Sequence, residues 1–520
     1  MARSTRLGVL AVCLAVLAAA LPAAATTAPS GPPAGSLPRA GSLPPAGSLP
    51  TAAVTDPWSK PADVGKPYPG TTRGVFTFRG NPTRTYLGSG PVPRTTPRRL
   101  WRYPVSGAMC AVSEVAGEPI RWCGTGWTGQ PAVVEREGRT WLIVGAYDNA
   151  LHFLDASTGE PILPSLPVGD LIKGSVTVDP DGYPLVYVGS RDNYLRVVAF
   201  DGPRPRVLWR LSAYDVSPVR WNNDWDGSPL VLRDHLFIGG ENSHFHIVAL
   251  NRSYDRRGTV QVDPRLLFNV PSWDAQLEAE AGTGAYSIEG SVAIWNSTAY
   301  FANSAGLVQG WDISGIRDGR PPRRVFRFWT GDDTDATVVV DELGHLYVGA
   351  EFERGTARSR AVGQMMKLDP SRPDDPLMWS VKDQGRIPGG IWATPALHGD
   401  IVIFATDGGR VLGLDRATGA QRWELRLPGP LWQSPVVVDN VLIMGDCAGW
   451  LHGFDVTATT PRDRTPSNPQ PADEQPRRLW RVRLDGCIES TPAVWQGRIY
   501  VGTRGGGVHA VGLPRRSSAT

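Results

Sequence analysis

The sequence predicts an all-β fold: an eight-bladed β-propeller of four-stranded blades, with an N-terminal strand closing the last blade. Three observations carry that prediction. A small–polar–apolar step opening an apolar run recurs eight times. Each copy is followed by short apolar strands separated by Gly, Asn or Asp. The last repeat lacks an outer strand, and a matching strand stands ahead of the first. The 59 glycines, 47 prolines and 19 tryptophans agree, because many turns and many separate burial places suit a large all-β repeat protein.

The N-terminus reads as that of an exported protein. Arg3 and Arg6 precede an apolar stretch from Leu7 to Leu21, short for a membrane span, and Ala23, Ala24 and Ala25 offer a cleavage site. Residues 1–25 are therefore expected to be a signal peptide cleaved near Ala25, leaving a secreted or extracytoplasmic protein. Cys13 follows Val12 inside the apolar run and is expected to be removed with it. Residues 26–57 are rich in Pro, Gly, Ser and Ala and repeat Ala-Gly-Ser-Leu-Pro from Ala34, Ala40 and Ala46. Such a segment cannot bury a core and is expected to be a disordered linker. Residues 58–99 are assigned to an extension packing on the propeller, 100–513 to the propeller and 514–520 to a disordered tail.

No later run is long and apolar enough to span a membrane. The 53 Lys and Arg stand against 50 Asp and Glu, which gives no electrostatic reason to expect a nucleic acid or an anionic membrane as partner. A monomer is expected.

The steps read Gly129-Gln130-Pro131, Gly174-Ser175-Val176, Gly227-Ser228-Pro229, Gly290-Ser291-Val292, Ala336-Thr337-Val338, Ala393-Thr394-Pro395, Gln433-Ser434-Pro435 and Ser490-Thr491-Pro492. Their intervals of 40 to 63 residues are those of propeller blades or solenoid units. After each step come hairpin strands, as in Ile403–Thr406 followed by Val411–Asp415. Most units then close on a bulky aromatic, such as Trp209, Phe268, Phe326 or Phe328, Trp379, Trp423 and Trp480. Blade 1 has only Pro161-Ile162-Leu163 there. The eighth unit ends at Val511, so Leu100-Trp101-Arg102-Tyr103 is expected to complete it and to remove two open sheet edges.

The stretch Gly413-Leu-Asp415-Arg-Ala-Thr418-Gly419-Ala-Gln-Arg-Trp423 resembles the tryptophan-docking motif of the quinoprotein (PQQ-dependent) dehydrogenases. Blade 1 keeps Asp155, Thr158 and Gly159 with no Trp to follow. The repeat pattern resembles that superfamily over residues 100–513. It also resembles the outer-membrane assembly lipoproteins, which use the same blade without a cofactor. Fold therefore does not decide between catalysis and binding.

Propeller geometry gathers the residues ahead of the steps at one channel mouth: Thr128, Lys173, Asp226, Glu289, Asp335, Trp392, Trp432 and Glu489. The turns between second and third strands add Asp148, Arg191, Asn193, Asn242, His244, Asp407 and Asp446 to the same face. Trp221 and Trp225, within Trp221-Asn-Asn-Asp224-Trp225-Asp226, are expected to enter this ligand funnel with Glu489. The resemblance implies PQQ and Ca²⁺ as possible cofactors. In that reading Asp226, Asn242, Glu289 and Asp335 would hold the metal, and Asp335 would be the catalytic base. Trp392 or Trp432 would stack the cofactor, and Lys173 or Arg191 would bind its carboxylates.

Two departures weigh against this reading: the chain has no adjacent Cys-Cys pair and no Cys-x-x-Cys-His. The reading of the sequence is thus a non-catalytic platform that binds a ligand or partner protein at the mouth, with a PQQ- and Ca²⁺-dependent dehydrogenase of alcohols or sugars as the alternative. A structural scaffold for envelope assembly is a third possibility.

Four cysteines follow the leader. Cys447 and Cys487 lie on same-face loops of adjacent blades, and Cys110 and Cys123 share the loop before blade 1, so two disulfides are expected in those pairings. The disulfide displaces a nucleophile-elbow reading of Gly445-Asp-Cys447-Ala-Gly449. Gly331-Asp-Asp333-Thr-Asp335 lacks EF-hand spacing and reads as a solvated acidic loop. His152, His244, His246, His452 and His509 show no paired zinc spacing.

Overall fold

The computed structural model describes residues 56–70, 72–115, 117–385, 389–461 and 474–514. The proposed signal peptide, nearly all of the linker and the tail beyond 514 lie outside the described residues. Pro57–Ser113 and Arg121–Thr520 make one compact unit. The other is Met1–Asp56 with Glu114–Ile120, of which Asp56 and the tip of the hairpin Cys110–Val115/Glu118–Cys123 are described.

The large unit is an eight-bladed β-propeller of antiparallel blades. Its first strands are Ala132–Arg136, Thr177–Val178, Leu230–Leu232, Ala293–Trp295, Val339–Val340, Ala396–His398, Val436–Val438 and Ala493–Trp495. Blade 8 closes as the sequence predicts: Arg98–Tyr103 pairs with Val508–Gly512, with Trp101 opposite Ala510. Both expected disulfides are present, Cys110–Cys123 and Cys447–Cys487. No helix among the described residues is long and apolar enough to cross a membrane.

The repeated step has a physical cause. Its polar side chain accepts the backbone N–H of the preceding blade's step, building a girdle around the channel. Gln130 N–H donates to Ser175 Oγ at 2.9 Å, Ser291 N–H to Thr337 Oγ1 at 2.8 Å, and Thr394 N–H to Ser434 Oγ at 3.0 Å. Its small residue lets the next blade come close: a Cβ on Gly174 would lie 2.2 Å from Asp226 O.

The tryptophan motif works across blades rather than within one. Trp379 of blade 5 covers Gly419 of blade 6 and donates to Arg416 O at 3.1 Å. Trp101 of the closing strand does the same for blade 1, covering Gly159 and donating to Ala156 O at 3.1 Å. Blade 1 therefore needs no tryptophan of its own, because its turn receives one from blade 8.

The extension is the largest surprise, because it fills the channel. Gly74–Val75 adds a fifth, innermost strand to blade 1, with Gly74 opposite Val134. The chain then bonds the other blades. Phe76 O accepts from Val178 N, Pro82 O from Ile294 N and Thr83 O from Val340 N. Thr77 Oγ1 donates to Pro229 O, and Ser89 N–H donates to Val494 O. Val92 N–H meets Asp439 Oδ2. Arg79 and Arg84 are fully buried. Arg79 donates to Thr394 O, Pro395 O and Pro435 O of blades 6 and 7. Arg84 donates to Val292 O at 2.8 Å and Ser228 O at 3.2 Å. All eight blades are thus tied to one segment.

A chain beginning at Thr95 keeps the closing strand but loses this plug. It is expected to melt at least ~10 °C below the full chain in scanning calorimetry, since it leaves inward-facing backbone groups without partners.

Candidate functional site

The plug bonds the first strands from the far end of the channel, and Arg79 reaches up to the steps. The mouth above it is therefore floored. Three groups of side chains surround that floor.

The first spans blades 2 to 4. Lys173 Nζ pairs with Asp226 and lies 3.7 Å from Glu241 and 3.9 Å from Asp224, while Arg191 Nε meets Asp224 Oδ2 at 2.6 Å. Burial works against the Lys173 charge, but Asp226, Glu241 and Asp224 hold its ammonium well above its usual value. Burial pushes Asp224 up to about 6 and, with Asp226 and other acids nearby, Glu241 well above the usual carboxylate range.

The second group lies on blade 5, with Glu289 of blade 4 beside it. Asp333, Asp335 and Glu351 bring carboxylate oxygens within 4.8 Å of one another. Ser304 Oγ lies 3.4 Å from both Glu289 Oε1 and Asp335 Oδ1. Burial raises Asp333 to about 6 and Glu289 to about 7, and with neighbouring acids it holds Asp335 and Glu351 well above the usual carboxylate range.

The Gly331–Asp335 turn is not a solvated loop. Asp332 is fully buried and accepts the N–H groups of Arg354 and Gly355 at 3.0 and 2.8 Å, from an insertion between the second and third strands of blade 5.

The third group is aromatic. Trp392 and Trp432 stack with ring centroids 5.4 Å apart, and Trp432 Nε1 donates to Asp407 Oδ1 at 2.7 Å. Trp127 reaches from blade 1 to blade 6 and donates to Trp392 O at 3.2 Å. Glu489 completes the ring, paired with Arg504 at 3.3 Å.

Of the residues expected at the mouth, Lys173, Arg191 and Asp226 share the first group. Glu289 and Asp335 belong to the second, and Trp392 and Trp432 stack as a pair. Asn242 stands apart from the proposed metal set. Its amide donates to Ala213 O at 2.9 Å, and its Oδ1 accepts from His244 N–H and lies 3.2 Å from His246 Nε2. Trp225 does not line the funnel: it is buried against His246 and donates to Asn193 O. Trp221 is 51% exposed. His152, His452 and His509 face Asp148, Asp446 and Asp485 at 2.8–3.0 Å.

Reading the sequence missed Glu241, Glu351, Asp333 and Trp127 as mouth residues. Glu241 is the neighbour of the residue chosen in its turn. Glu351 opens an insertion that replaces the tight turn of the other blades.

The residues do not fit PQQ. Lys173 and Arg191 are engaged by Asp226 and Asp224, so no pair of cations awaits cofactor carboxylates. Trp392 and Trp432, either of which would stack the cofactor, are stacked on each other instead, with Trp432 further tied to Asp407. The blade 5 carboxylates do suit a hard divalent cation.

A family model described as the outer membrane protein assembly factor BamB matches residues 363–460. No curated protein matches the chain. Among solved structures, the chain is similar to the computationally designed protein Ika8. That match has 12% identity and a TM-score of 0.51, and covers 75% of this chain and 98% of the other. Sqt1 of Saccharomyces cerevisiae is similar at 8% identity and a TM-score of 0.54, with 81% and 100% covered. BamB from Moraxella catarrhalis gives 15% identity and a TM-score of 0.38, with the same coverage. At these identities the likeness is one of fold: the chain is an eight-bladed β-propeller in which residues 363–460 match a PQQ-like repeat model.

A raised carboxylate binds its proton more tightly in the folded than in the unfolded chain. Its ionisation therefore costs stability above the folded value, and the cost vanishes below the unfolded value near 4.5. Glu289→Gln is expected to be more stable than wild type by about 1–3 kcal/mol above pH 7, with the advantage fading as pH falls to about 4.5. Urea unfolding across that range, in buffer free of divalent cations, checks this.

Proposed function

We propose that the protein is an exported, non-catalytic propeller platform that binds a partner through the floored mouth of its channel. The observation that carries this reading is the combination found there: a half-buried ledge of Trp127, Trp392 and Trp432 facing an arc of carboxylates, above a channel closed by the protein's own chain. Tryptophan ledges are where binding energy concentrates in protein interfaces. The acidic arc favours a partner that presents basic side chains, through complementary potential. The family model for an assembly factor supports a platform role, and the two disulfides are compatible with an extracytoplasmic location.

A photo-reactive residue at Trp432 should capture a discrete partner in cells, whereas one at Arg210 on an outer strand should not. Equal capture at both positions, or none at Trp432, would count against the mouth. Calorimetric titration with PQQ, with and without Ca²⁺, is expected to show no binding. Micromolar binding lost in Trp432→Ala would instead restore the dehydrogenase reading.

A further inference from the structure

The two acidic clusters at the mouth both bring their carboxylate oxygens within 4.8 Å of one another but differ in how their charge is met. Asp224, Asp226 and Glu241 are served from within the protein by Lys173 and Arg191. On blade 5, Arg354 meets Asp333 at 3.2 Å, and among the described residues no cation pairs with Asp335 or Glu351. Glu351 is 2% exposed, and its Oε1 has no hydrogen-bond partner; Asp333 Oδ1 is likewise buried and unpartnered. An isolated buried carboxylate oxygen is costly, and three converging ones more so, unless a positive charge lies between them.

We infer that Asp333, Asp335 and Glu351 form a binding site for a divalent cation of the Ca²⁺ type. Ca²⁺ takes carboxylate oxygens at 2.3–2.6 Å, so its ligand atoms lie within about 5 Å of one another. The mutual distances of up to 4.8 Å on blade 5 meet that requirement. Mg²⁺ demands shorter bonds in strict octahedral geometry and suits the site less.

The backbone already holds the ligands in place. Asp332 anchors the insertion that carries Glu351 and Arg354, and Glu351 N–H donates to Asp333 O at 2.8 Å. The bound ion would join the turn ahead of the blade 5 step to the insertion between its second and third strands. Trp392 stands next to Ile391, whose N–H bonds Ala350 O beside Glu351, and so lies close enough to sensitise a bound lanthanide.

The experiment uses the full mature protein stripped with chelator. Millimolar Ca²⁺ is expected to raise the melting temperature by several degrees, with Mg²⁺ giving less. Tb³⁺ should give tryptophan-sensitised emission that Ca²⁺ displaces. Asp335→Asn and Glu351→Gln should abolish both responses. In chelator each should melt at or above wild type, because a like-charge repulsion is removed, and that melt shows the variant is folded. Asp226→Asn, in the other cluster, should keep both responses. The inference is overturned if wild type shows neither response, or if either survives in Glu351→Gln. Such a failure leaves the platform reading untouched, because that reading is tested by photo-capture of a partner.

Discussion

The structure depends on how the inward-facing backbone of eight first strands finds hydrogen-bond partners. Each of these strands is a sheet edge turned to a central channel, and a buried edge with unmatched N–H and C=O groups is not tolerated. The girdle of step hydroxyls satisfies one end of the strands. The extension from Gly74 to Val92 satisfies much of the rest. Arginine suits this task because a guanidinium has several donors and no acceptor, so Arg79 and Arg84 each serve carbonyls on different blades. Burial without a carboxylate pulls Arg79 down to about 9 and Arg84 down to about 10, which leaves both charged at neutral pH. Their charge is held mainly by carbonyl dipoles, with the Thr77 hydroxyl also accepting from Arg84 and the Phe78 ring beneath Arg79.

How much of this was legible in the sequence follows from what each feature repeats. The steps, the hairpins and the missing eighth outer strand recur with a period, so blade number and ring closure could be read directly. The disulfides followed from that ring. The plug recurs nowhere: its alternation stops after Phe76-Thr-Phe-Arg79, where Gly80-Asn-Pro82 breaks it, and its two arginines resemble surface residues in isolation. The candidate site was half legible for the same reason. Residues fixed by the step, such as Lys173, Glu289, Asp335 and the tryptophan pair, were found by position. Glu241 and Glu351 were missed because side-chain direction in a turn, and the length of one insertion, are not periodic. Trp225 was misplaced because neighbouring residues on an extended segment face opposite ways: Asp224 and Asp226 turn to Lys173 and Arg191 while Trp225 turns into the core.

The mouth also shows why a quinoprotein-like blade need not make a quinoprotein. An oxidative site on this fold would require cations left over to bind an anionic cofactor. Here the cations of blade 2, Lys173 and Arg191, are paired with acids of blade 3, and Trp392 and Trp432 each give one face to the other. The same positions thus support internal pairing on one side of the ring and a buried, under-paired acidic cluster on the other. The blade grammar sets where side chains stand, and the charge balance between adjacent blades decides what they do.

That balance is kept by rigidity. Carboxylates on a flexible loop would move apart to relieve repulsion. Asp333 and Asp335 cannot, because their turn runs into a step locked to the next blade through Thr337 N–H and Thr394 Oγ1 at 3.0 Å. Glu351 cannot either, since the strand ahead of it is paired and the insertion after it is held by Asp332. The raised proton affinity of this cluster follows from burial and mutual repulsion, and among the described residues Arg354 is the cation that pairs with it. Carboxylates held in that state are preorganised, because the backbone around them cannot relax to separate them.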